Sequence, residues 1–166
     1  MRAHFIRVAA LMFVGSFSAS HSSAADFSHS WRPSNFAMCE GIGIHGAFSV
    51  HVGGRLEAKP NGDKVITSLR VWASSAAFNL GEGSVSASAQ VTGPGSPVAK
   101  TVLSRPTHSV IEPSPKPGET RIIYLPKDKT LTVPKGGELF VEAAAIVKQS
   151  GGTCGLGSGR DKIPLP

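Results

Sequence analysis

The chain has 166 residues, 40% of them hydrophobic and 17% charged, and Lys and Arg exceed Asp and Glu by 6. That length and composition describe one globular domain and exclude a disordered or fibrous chain. The basic surplus is spread without a run of like charge, and no stretch reaches the roughly 20 apolar residues that a membrane helix needs.

Residues 1–25 have the layout of a secretory signal peptide. Arg2, His4 and Arg7 make a basic start, 8–17 is a short apolar core, and Ser23, Ala24 and Ala25 are small residues just before Asp26. An exported protein, periplasmic or extracellular, is therefore expected, with the folded domain over 26–156 and a C-terminal tail over 157–166. Losing Arg2 and Arg7 with the leader takes the Lys and Arg count from 17 to 15, against 11 acidic residues. The only two cysteines are Cys39 and Cys154, 115 residues apart (154 − 39). Export and an even count predict a disulfide between them; two free thiols, or a nucleophile, are the alternatives.

In chain order, 26–37 reads as polar and irregular, anchored by Trp31 and Phe36. Residues 44–52 alternate, with Ile44, Gly46, Phe48, Val50 and Val52 on one face and His45 and His51 on the other. Gly53-Gly54 and Pro60-Asn61-Gly62-Asp63 are turn signals. A strand over 64–74 places Val65, Leu69, Val71 and Ala73 on one side and Ile66, Arg70 and Trp72 on the other. Residues 84–91 alternate small apolar residues with serine. The segment 93–118 holds half of the twelve prolines. It permits edge strands over 98–103 and 108–111 but no central one, and reads as a functional loop or a stiff crossover. Residues 120–147 read as three consecutive strands over 122–125, 130–133 and 139–147. Lys127-Asp128-Lys129 and Pro134-Lys135-Gly136-Gly137 are the turns between them. A helix over 138–149 also fits, since Leu139, Phe140, Ala143, Ile146 and Val147 match a 3.6 period.

Many short strands with regular turn signals predict an all-β fold, an antiparallel immunoglobulin-like or Greek-key β-sandwich. Residues 120–147 resemble the late strands of an immunoglobulin-like or fibronectin-III-like sandwich. The resemblance is one of architecture and covers that stretch alone.

Few chemical motifs emerge. Gly41-Ile42-Gly43-Ile44-His45-Gly46 spells G-x-G-x-x-G but precedes a strand, whereas a dinucleotide site follows a strand and opens a helix. No cofactor is predicted. A G-x-S-x-G elbow, an H-E-x-x-H pair, a P-loop and an EF-hand loop are all absent from the sequence. His29, His45, His51 and His108 are candidate copper or zinc ligands, although His45 and His51 would stand roughly 20 Å apart along one strand. Lys127, Lys129 and Lys135 cluster on turns, where they either meet a polyanion or are simply solvated. The leading expectation is a non-enzymatic protein that binds a protein or surface partner through 93–118 or a sheet edge, without nucleic acid or a membrane span in the mature chain. A metal carrier using the histidines is one alternative, and a hydrolase with a non-local site is another.

Overall fold

Side chains alternate in hydrophobicity along most of the chain, and the backbone follows that period of two into strands. The computed structural model describes residues 23–33, 37–39, 44–46, 48–94, 96–103, 116–149 and 152–166. Their strands are β1 (Ala24–Trp31), β2 (Ala37–Cys39), β3 (Ile44–Gly46), β4 (Ser49–Ala58), β5 (Lys64–Ser74), β6 (Glu82–Gly93), β7 (Ser96–Val102), β8 (Ile123–Tyr124), β9 (Leu131–Val133), β10 (Glu138–Gln149) and β11 (Gly152–Ile163). A short 3-10 turn over Ala76–Asn79, capped by the Ser75 side chain, lies between β5 and β6. The protein is all-β with antiparallel sheets, a β-sandwich-like architecture. One sheet runs β1-β4-β5-β8, with β9 also on the β5 edge; a second runs β11-β10-β6-β7; β2 and β3 form a hairpin of their own.

Residues 138–149 are strand, not helix. β10 hydrogen-bonds to β6 on one side and β11 on the other. Leu139, Val141, Ala143, Ala145 and Val147 are buried from it, and Gly136-Gly137 ahead of it offers no helix cap. Its other face carries half-buried Phe140, Ala144 and Ile146, with Arg160 of β11 laid over the Phe140 ring.

The reading of 120–147 as three successive paired strands needs correction. β8 and β9 do not pair with each other; both run antiparallel to β5, β8 beside Arg70 and Val71 and β9 beside Lys64, Val65 and Ile66. They are two pieces of one edge, extended upstream where the Thr120 N–H donates to Ala73 O at 2.8 Å. Residues 126–130 bulge off that edge, since Pro126 has no N–H for the ladder. The Lys129 N–H closes the bulge on Pro126 O at 2.9 Å. The second turn carries the chain across to the other sheet, with Gly136 at a φ of 77°.

Four other sequence expectations change. β5 is out of phase with a simple alternation: Ile66, Leu69, Val71 and Ala73 are all buried, while Val65 is not. The cause is a bulge, because Arg55 pairs with Ser68 but Leu56 pairs with Ile66, which leaves Thr67 over. Its hydroxyl donates to Arg55 O at 3.3 Å. Secondly, 26–31 is not irregular but belongs to β1. Thirdly, residues 157–163 of the expected tail complete β11, an edge strand paired to β10 along its length. Fourthly, 44–52 is two strands, β3 paired to β2 and β4 paired to β5. Within 93–118, residues 96–102 are the edge strand β7; 104–115, including the expected strand at 108–111, lie outside the described residues.

The inward faces of both sheets merge into one core, with Phe48, Leu56, Ile66 and Leu69 from one sheet and Leu139, Leu156 and Ile163 from the other. Each such side chain contributes roughly 1.5–3 kcal/mol by leaving water. At one side of the layers the edge strands β1 and β11 meet, where His29 Nε2 lies 2.9 Å from Asp161 Oδ2. The His29 ring stacks on Trp31, and Pro33 closes over Gly159, where a Cβ would stand 2.8 Å from the Pro33 Cβ. No helix among the described residues is long and apolar enough to cross a membrane. The expected leader lies mostly in 1–22, outside the described residues, but Ala24 and Ala25 already pair with Glu57 and Leu56.

Candidate functional site on the outer face of the five-stranded sheet

The pairing of β4 with β5 sets His51 opposite Trp72 and Gly53 opposite Arg70, so their outward residues form rows across the sheet. β1 adds Ser30 to the first row and Ser28 to the second, and β8 adds Tyr124 to the second. Asp26, Arg55 and Ser68 make a third row.

The first row is an aromatic wall. The His51 and Trp72 rings stack with centroids 5.2 Å apart and planes at 18°. His51 Nε2 lies 2.8 Å from Ser74 Oγ, which fixes the ring. Partial burial holds the His51 imidazole below its usual range, against a smaller upward pull from the Glu119 carboxylate. The Arg70 guanidinium carbon lies 5.7 Å from the centre of the Trp72 ring, within the range of a cation–π contact.

The second row explains why two glycines stand where a turn was expected. Gly53 and Gly54 are inside β4, and glycine within a strand marks a close approach. A Cβ on Gly53 would meet Arg70 Nε at 2.9 Å, so the bare backbone lets that side chain lie flat across the sheet. A Cβ on Gly54 would meet Ser68 O at 2.4 Å and the Phe27 ring at 2.6 Å.

Beside Arg70 a depression of about 530 Å³ opens, lined by Asp26, Ser28, Arg55, Ser68 and Tyr124 among others. Neither the Arg55 nor the Arg70 guanidinium is in an ion pair among the described residues. The site is shallow and presents two forked donors, a phenol, two hydroxyls and one carboxylate next to flat aromatic surface. It suits an extended ligand better than a small one, which needs enclosure.

The residues singled out from sequence fall elsewhere, apart from His51. His29 faces inward from β1 and is held by Asp161, so the two histidines stand on opposite faces of the same sheet and cannot share an ion. Among the described residues no three potential ligands come together. The side chain of His45, and all of His108, lie outside the described residues. β2, which ends at Cys39, packs against β11, which carries Cys154. Sequence reasoning missed Arg55, Arg70, Trp72 and Tyr124 as a group. Arg70 and Trp72 two apart on one strand were a signal, but the register that adds Arg55 and Tyr124 was not visible.

Comparison with protein-family models, curated proteins and solved structures finds no match to the chain.

Proposed function

We propose that this is an exported, non-catalytic binding protein, and that the outer face of the five-stranded sheet is its binding surface. One observation carries the reading: two guanidiniums that make no ion pair among the described residues border a depression beside an aromatic wall whose His51 ring is held by Ser74. Groups held in place before the ligand arrives lose little freedom on binding. Export rests on the layout of residues 1–25. A Cys39–Cys154 disulfide goes with it, supported by the packing of β2 against β11. The return of β8 beside β5, after β6 and β7 have been laid in the other sheet, supports a Greek-key, immunoglobulin-like topology.

The test is capture from an array of defined polysaccharides, peptides, lipids and nucleic acids. Trp72→Ala and Arg70→Ala remove outward side chains, so both variants should unfold within a few degrees of the parent yet lose capture. Capture kept by both variants, or lost only on trimming 104–115, overturns the assignment of the face.

A second reading, a hydrolase, draws on the Ser74–His51 contact, whose 2.8 Å length suits a nucleophile and its base. A His51 pKa held down keeps the ring neutral, as a base must be. Against it, Glu119 makes no hydrogen bond to the ring that would orient it. Labelling of Ser74 by a fluorophosphonate, lost in Ser74→Ala and in His51→Ala, would establish it; an unlabelled protein removes it.

A further inference from the structure

We infer that the ligand of this face is an acidic polysaccharide, its carboxylate or sulfate groups held by Arg55 and Arg70 and its hydroxyls met by Tyr124, Ser28, Ser68 and Asp26; the inference rests on the face being the binding surface. Charge complementarity is the first argument. The depression holds two guanidiniums against one carboxylate, Asp26. The Arg70 guanidinium carbon lies 5.7 Å from the centre of the Trp72 ring, and its N–H fork, in no ion pair among the described residues, can meet a bidentate anion.

The mixture of partners is the second argument. A ligand that is purely a chain of phosphates would be repelled by Asp26. A sugar presents hydroxyls that donate to a carboxylate and accept from Tyr124, Ser28 and Ser68, so a hydroxyl-rich polyanion satisfies every group in the depression. The third argument is shape. The rows repeat every two residues, roughly 7 Å along the strands, on an open face that an extended chain can cross. Lys127 and Lys129, on the bulge off the same sheet edge, are exposed with Asp128 between them and add one net positive charge on that side.

Isothermal titration of the exported chain with polygalacturonate, dextran sulfate, neutral dextran and single-stranded DNA tests this. Binding is expected to one or both acidic polysaccharides, and the first two arms tell carboxylate from sulfate. Arg55→Gln and Arg70→Gln should each weaken it about tenfold, with unfolding midpoints unchanged, and added salt should weaken it further. Silence toward both acidic polysaccharides, or equal or tighter binding of dextran or DNA, overturns the ligand class. In that case, loss of the observed binding in Trp72→Ala leaves the face standing. Acidic polysaccharide binding untouched by all three substitutions overturns both.

Discussion

Two adjacent glycines give a sharp test of the register. Gly53 and Gly54 occupy neighbouring positions in β4, so a side chain added at one points outward and at the other inward. In Gly54→Ala the new methyl would stand 2.4 Å from the Ser68 carbonyl oxygen and 2.6 Å and 2.8 Å from two carbons of the Phe27 ring. The carbonyl belongs to the bulged part of β5 and cannot retreat without shifting that strand. Phe27 is buried against the core and has little room to turn. Overpacking of this kind costs about 1–3 kcal/mol, or roughly 3–10 °C in Tm for a domain of this size. In Gly53→Ala the nearest atom is Arg70 Nε at 2.9 Å, followed by Nη2 at 3.5 Å. That is the far end of an exposed, flexible side chain. Its displacement is offset by the gain of about 0.5–1 kcal/mol from replacing a strand glycine, so stability should stay within about 0.5 kcal/mol. Urea titrations of the two variants measure the difference. Equal losses at the two positions, or the larger loss at Gly53, would refute the facing of β4 and with it the composition of the outer face.

Other outcomes follow from the same packing. With the proposed Cys39–Cys154 cross-link in place, Cys154→Ser should lower stability by an amount on the order of 4–5 kcal/mol, less any strain, by freeing a loop of 115 residues (154 − 39) in the unfolded chain; two thiols alkylated in native protein would dismiss the cross-link. Asp161→Asn replaces the carboxylate that the His29 ring contacts, the two side chains being 24% and 39% exposed, so the loss should be no more than about 1 kcal/mol by denaturant titration. A larger loss would mean that the meeting of β1 and β11 depends on that charge. His51 has a folded pKa below the ordinary 6.5, so the unfolded chain takes up the proton first as pH falls. Its contribution is complete above about 6.5 and shrinks as pH drops through the lowered folded value. His51→Gln should flatten that part of the stability–pH curve, and an unchanged curve speaks against the burial.

What sequence reveals here is local. The alternation in 139–147 survives because the register shift at Ala145/Ile146 places its extra residue, Leu156, on β11, and that in 84–91 holds apart from Ser88, which is buried. The β5 strand defeats the same reasoning through one residue, since Thr67 drops out of the pairing and Ile66 changes sides. β1 was legible in principle: Ala25, Phe27, His29 and Trp31 alternate with polar residues. Counting histidine as polar hid it, yet His29 faces inward because Asp161 receives it. β11 was hidden for the opposite reason, as its glycines and charges lack a hydrophobic stripe and it is held by backbone pairing with β10. The outer-face site needs four strands in known register, β1, β4, β5 and β8, and no spacing within one strand encodes that.

The split edge made by β8 and β9 bears on how the molecule coexists with copies of itself. An uninterrupted outer strand would offer its free N–H and C=O groups to any passing chain, the first step toward fibrils. Here Pro126 withholds a donor and Lys127, Asp128 and Lys129 jut out midway along that side. A neighbouring strand could match only two or three residues before meeting charge. Straightening this bulge by deletion would leave a single molecule folded but turn a concentrated solution of it toward aggregation.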